Sequence, residues 1–319
     1  YNFCYTVMGY NNGKGVIMTK QDFMEQLIEE LYRYFSPEQY QLEGSVLLKN
    51  NDTKRYAILL KKIEGTVSPT IYLDNFYSEF EHGRTTISET ASHIYEQMHD
   101  FEDKIEAYQE FSAELSDCSN KITYRLVSKE RNKQFLESVP HLPFLNMAVV
   151  FYIIHHVSKE GMESICVTNE LAGKWGLSAK SLYIIAEKNT PILLPPVIDT
   201  MEHTLELLMG EINCAIEPAG DSNKPIPMHI MTNKYQINGA SVLLYHGLLD
   251  GLAEKLGTDL YVIPSSIHEL IIMPAEDGSL SLSKLSDMVK EINENHVKEE
   301  EILSDCAYYY DHKEKSFYM

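Results

Sequence analysis

The chain has no Cys-x-x-Cys pair, few cations and no apolar run long enough to cross a bilayer, and each shortage excludes something. Its five cysteines, Cys4, Cys118, Cys166, Cys214 and Cys306, are odd in number and scattered. Neither a zinc ribbon nor a disulfide framework is indicated, and reduced thiols in a reducing compartment are expected. Lysine and arginine number 27 against 47 acidic residues, a net charge of −20. Nucleic-acid and anionic-membrane surfaces need the opposite surplus, so neither partner is expected. The longest apolar stretch, Phe144 to Val157, contains Asn146 and two histidines and falls short of the ~20 residues that span a bilayer. No signal-peptide pattern precedes the first expected helix, which fits a cytoplasmic setting. What is present is the composition of a globular protein: 319 residues, 44% hydrophobic and 10% aromatic, with 21 tyrosines. Tyrosine suits half-buried positions, because its ring packs while its hydroxyl requires a partner.

Residues 1–17 are expected to be a translated upstream extension, with natural synthesis starting at Met18. Gly13-Lys14-Gly15-Val16-Ile17 fits a purine-rich ribosome-binding stretch, and Met18 stands directly before a capped helix. Gly13-Lys14-Gly15 also lacks the spacing and the preceding strand of a phosphate loop.

From Met18 to Asn120 the pattern predicts a small α-β unit followed by one long helix. Thr19 and Asp22 form a short-armed capping box, and Phe23, Leu27, Leu31 and Tyr34 share one helical face until Ser36-Pro37. Two strands, Ser45–Lys49 and Tyr56–Lys61, make a hairpin, and a third follows from Thr70. Thr86 and Glu89 are a full capping box opening a helix over 86–115, whose apolar positions alternate four and three apart. That seam either packs along its own chain or joins a homodimer.

Residues 121–319 read as a larger α/β region with a mixed sheet. Strands are expected at Ile122–Val127, Asn146–Ile154 and Ser164–Val167, and a stiff extended connector at Pro191–Pro196. Met201–Ile212 reads as a helix and Glu217–Pro227 as a polar loop. The most organised stretch is Met228–Pro274: a strand, a turn at Ile237–Ala240, a helix over Ser241–Leu256 capped by Gly257, and strands Asp259–Pro264 and His268–Pro274. A helix over Leu282–Asn293 and a terminal hairpin, Cys306–Tyr310 with Lys315–Tyr318, close the chain. The fold class is α+β.

The candidate catalytic set is Ser265, Ser266, His268 and Glu269, which supplies a hydroxyl, an imidazole and a carboxylate. Neighbours on a strand point to opposite faces, so a hydrolase site would need a further group such as Asp305 or Tyr72. Residues 169–189 have the packing pattern of a helix-turn-helix, but the second helix offers only Lys180 and Lys188 and no arginine. A structural αα-corner is the better reading, and a DNA-linked regulator ranks third. Glu96-x-x-His99 resembles half of a di-iron site, yet no second Glu-x-x-His exists, and adjacent His155 and His156 diverge on a strand. No metal and no cofactor are expected.

Several phrases carry a family resemblance. They are Ser68–Phe76, Thr168–Gly176, Asn189–Pro191, Thr232–Ala240, Ile263–Leu270 and Leu303–Asp311. Across Met18–Met319 the chain resembles an uncharacterised domain-of-unknown-function family of gut Gram-positive bacteria, the family numbered 5688. A fainter similarity runs to another uncharacterised bacterial family, through the strand, turn, helix and hairpin of Met228–Pro274. The resemblance implies the boundary at Met18 and a bacterial cytoplasmic setting, and it brings no activity, ligand or site residue. The expected function is a non-catalytic binding or regulatory module for an unidentified protein or small molecule. A hydrolase is the alternative.

Overall fold

The structure is a computed structural model that describes residues 18–63, 69–105, 114–158, 161–203, 227–275 and 281–319, with the backbone alone over 99–105. The expected upstream extension, 1–17, lies outside these residues. So do most of the helix expected over Met201–Ile212 and nearly all of the loop expected over Glu217–Pro227. The chain divides into two compact units, Tyr1–Leu47 with Lys54–Glu110, and Leu48–Thr53 with Phe111–Met319.

Unit 1 is an α-β layer. Helix α1, Lys20–Leu31, starts at Thr19, whose hydroxyl accepts from Asp22 N while the Asp22 carboxylate accepts from Thr19 N. Phe23, Leu27 and Leu31 are fully buried, but Tyr34 lies beyond the helix end and is exposed. Strands β1 (Tyr40–Leu48), β2 (Lys54–Lys62) and β3 (Thr70–Tyr72) form a sheet in that order, followed by helix α2, Asp74–Glu81. Helix α3, Ile87–Ile105, opens with the Thr86–Glu89 capping box. Its Ala91, Ile94 and Met98 are buried in one cluster with Phe23, Leu27 and Ile58. The seam does not continue as one helix to Leu115, because Glu114 is extended and Leu115 opens a separate short helix, α4, Leu115–Cys118.

Unit 2 contains two antiparallel sheets, not the single mixed sheet expected. The smaller sheet centres on β6, Met147–Val157. Strand β4 (Ile122–Ser128) pairs along one side of it; α5 (Lys133–Ser138) leads into β5 (His141–Phe144), which shares the other side with β7 (Met162–Cys166). Both faces of β6 are covered, which is why its sequence is nearly continuously apolar. Helices α6 (Asn169–Trp175) and α7 (Ala179–Leu193) follow as the expected corner, capped by Thr168 and Ser178 and turned by left-handed Gly176. Ala172, Leu182 and Ala186 are buried in the main core.

The expected Pro191–Pro196 connector is divided differently. Helix α7 runs through Pro191 to Leu193, and Pro196 opens β8, Pro196–Thr200, an outer strand of the larger sheet. Proline donates no ladder hydrogen bond, so an edge is where a sheet tolerates it. The larger sheet runs β13-β12-β10-β11-β9-β8, where β9 is His229–Asn233, β10 Leu260–Pro264, β11 Leu270–Pro274, β12 Tyr308–Asp311 and β13 Ser316–Tyr318. The helix expected over Ser241–Leu256 is split. A tight 3-10 run, Gly239–Leu244, ends where Tyr245 turns extended to donate its hydroxyl to Leu194 O at 2.8 Å. Left-handed Gly247 then starts α8, Leu248–Leu256, and Gly257 ends it. Helix α9, Leu282–His296, covers the outer face of β10 and β11 through Leu285 and Val289.

Candidate functional site

Alternation along β4 creates the site. Tyr124 and Leu126 point into the main core with Val149 and Phe151, so Arg125 must point to the opposite face of the smaller sheet. Tyr152 and Cys166, directly paired across β6 and β7, lie on that same face. The Arg125 guanidinium sits 3.7 Å from the centroid of the Tyr152 ring. Its Nη2 donates to Ser164 Oγ at 2.5 Å and to Met162 Sδ at 3.1 Å. Among the described residues no carboxylate pairs with it, and Tyr152 is its remaining side-chain hydrogen-bond partner.

Burial lowers the Arg125 pKa, and Tyr152 and Cys166 oppose that shift. Desolvation pushes the Cys166 thiol up to about 11 and the Tyr152 phenol up to about 12. Both therefore stay protonated at neutral pH, and Cys166 is not a poised nucleophile.

These side chains form one wall of a cavity of about 560 Å³ contained within unit 2. The other walls are Leu48–Asn50, Ile267–His268 and Glu300–Glu301. Residues 48–53 are held by a dense polar lock. Asn51 and Asn132 exchange hydrogen bonds of 2.8 Å each way, and Asn51 Nδ2 also donates to Glu299 O and Ile302 O. The Asp52 carboxylate accepts from Gln134 N and Phe135 N at the start of α5, where a negative charge is favoured. Asn50 Nδ2 donates to Glu300 O at 2.7 Å, while its Oδ1 is buried and takes no hydrogen bond among the described residues. Ile267 N donates to Glu301 O at 2.8 Å, tying the two remaining walls together.

The structure brings His268 into this cavity but does not assemble the expected catalytic set. His268 and Glu269 lie in the loop before β11, not on a strand, so strand alternation does not govern them. Asn238 N donates to His268 Nδ1 at 3.2 Å. A neutral imidazole that accepts at Nδ1 carries its proton on Nε2, which leaves no lone pair to act as a base. The Ser266 hydroxyl accepts from His268 N at 3.0 Å, and Ser265 Oγ donates to Glu269 Oε1 at 3.3 Å. Among the described residues neither hydroxyl bonds the imidazole. Asp305 is committed elsewhere, to Arg131 Nη2 and Asn293 Nδ2, each at 2.8 Å. Tyr72 belongs to unit 1.

Sequence reasoning missed Arg125, Tyr152, Asn50 and Glu301. One signal was available, the lone cation inside the apolar strand Ile122–Val127. Among the described residues no group of three or more metal-binding side chains forms, and no helix is long and apolar enough to cross a membrane. The His99 side chain lies outside the described set, so the Glu96-x-x-His99 pair does too.

Among the described residues three antiparallel sheets with helices packed on them define an α+β protein, and its second unit holds an arginine with no paired carboxylate in an open cavity. The chain belongs to a family of unknown function, DUF5688, whose profile matches residues 20–312. No curated protein and no solved structure matches it.

Proposed function

We propose that the protein is a non-catalytic ligand-binding module whose site is the Arg125 cavity of unit 2, and that its ligand presents an oxyanion group to the guanidinium. The observation that carries this reading is the arginine itself. A desolvated cation is costly unless paired, and Nη1 and Nε keep N–H donors to offer a carboxylate or phosphate while Nη2 is held by Ser164 and Met162. Stacking on Tyr152 and the bonds to Ser164 and Met162 hold the guanidinium in place before a ligand arrives, which lowers the ordering cost of binding. The cavity volume, about 560 Å³, falls in the range of small-molecule pockets. The His268 tautomer and the protonated Cys166 argue against base or nucleophile chemistry at the same walls.

The test is retention of small acids from a bacterial metabolite extract by the full chain, read by native mass spectrometry. Wild-type protein retains an acid, and Arg125→Gln binds it at least roughly tenfold more weakly, as the loss of a charged hydrogen-bond pair requires. Equal retention by folded Arg125→Gln refutes the site. A hydrolytic turnover that His268→Ala abolishes in folded protein refutes the non-catalytic reading.

A further inference from the structure

We infer that the ligand is a zwitterion of the amino-acid or short-peptide class, with its carboxylate on Arg125 and its ammonium at the Glu301 carboxylate. The inference rests on the reading of the Arg125 cavity as a binding site and specifies what that site selects. Two cations, Arg125 and Lys49, and two carboxylates, Glu300 and Glu301, line the cavity. The lining therefore carries no net charge, which suits a ligand that carries none.

Arg125 and the two carboxylates lie on different walls, with Lys49 on the 48–50 segment. The guanidinium lies on the sheet wall among Tyr152, Ser164 and Met162, whereas the carboxylates come from the separate 299–301 turn. At the acidic wall Glu301 Oε1 accepts from Lys298 at 3.2 Å, and its Oε2 accepts no hydrogen bond among the described residues. One wall thus offers unused N–H donors and the other an unused carboxylate oxygen. A carboxylate satisfies the first, and an ammonium with three N–H donors satisfies the second.

Free phosphate meets only one of these walls and is repelled by the acidic one and by a chain of net charge −20. Phe135, Tyr152, Met162 and Ile267 also line the cavity, which favours an apolar or aromatic side chain on the ligand.

The experiment titrates the full chain with L-phenylalanine and with glycyl-phenylalanine by calorimetry. Phenylpropanoate and phenethylamine serve as the deaminated and decarboxylated controls, and inorganic phosphate as the anion control. A zwitterion is expected to bind at least roughly tenfold more tightly than either single-charge control, the difference one charge-assisted hydrogen bond supplies. The stronger of the two zwitterions distinguishes a free amino acid from a peptide. Glu301→Gln removes the preference over phenylpropanoate without weakening phenylpropanoate binding, since the carboxylate that repels an anion is gone. Arg125→Lys weakens both acids and leaves phenethylamine unaffected.

If phenylpropanoate binds as tightly as phenylalanine and responds to Arg125→Lys, the zwitterion inference falls and the binding-module reading stands. Preferential binding of phosphate likewise overturns the inference. Failure of every probe overturns it too, and the acid retained from metabolite extract then tests the module reading separately.

Discussion

Substituting Gly239 by alanine links the fold directly to the cavity. A Cβ there would lie 2.0 Å from Thr232 Oγ1, 2.3 Å from His268 O and 2.9 Å from Asn233 N. Ordinary contact begins near 3.4 Å, so the His268 loop or β9 must retreat by about 1 Å. Overpacking of this kind costs about 1–3 kcal/mol. The retreat also breaks the 2.7 Å bond from Thr232 Oγ1 to His268 O, and stranding those buried groups adds about 1–3 kcal/mol. The expected loss is about 4 kcal/mol, a fall of about 8–16 °C in the unfolding midpoint of a domain this size. Because Ile267 and His268 line the cavity, ligand affinity should fall with it. Gly173→Ala is the control. Nothing lies within 4 Å of its Cβ, and alanine should stabilise α6 by up to about 1 kcal/mol. Urea unfolding followed by circular dichroism measures both variants. Gly239→Ala within about 1 kcal/mol of wild type would refute the steric argument, because it would mean the His268 loop moves freely.

Two further outcomes can be measured with simple variants. Tyr309 donates to Asp259 Oδ2 at 2.5 Å and His312 bonds Oδ1, which holds the Asp259 carboxyl down at about 2. A depressed carboxylate stabilises the fold above its unfolded value near 4 and loses that contribution as the pH falls toward 2. Asp259→Asn should therefore lower stability at neutral pH and flatten the acid limb over that window, and an unchanged acid limb would count against the contact. Ile94 is 1% exposed in the unit 1 core, so Ile94→Ala should cost about 3 kcal/mol. If α3 instead formed a homodimer seam, the unfolding midpoint would rise with protein concentration, and light scattering on protein starting at Met18 would show twice the monomer mass.

What could be read from the sequence was local. Thr19–Asp22 and Thr86–Glu89 signal helix starts because a cap and its partner are three residues apart in any context. The apolar run of β6 marks a strand covered on both faces, and Gly176 and Gly257 mark helix ends because they adopt left-handed backbone cheaply. The errors fall where a distant group intervenes. Tyr245 leaves the helical pattern to reach Leu194 O, 51 residues away in sequence. Pro196 looks like part of a connector until β9 pairs with it.

The site shows the same division. The sequence alone determined the α+β class and the strand carrying Arg125, because periodicity acts between near neighbours, but it put His268 at the start of a strand that begins only at Leu270. Only the tertiary structure decided what those residues do. His268 became a donor because Asn238 N, 30 residues earlier, occupies its Nδ1. Arg125 faces the cavity because β6 and β7 surround it with a ring, a hydroxyl and a thioether and, among the described residues, no paired carboxylate. Desolvation and unmet hydrogen bonds depend on which distant surfaces meet, and that is set by packing.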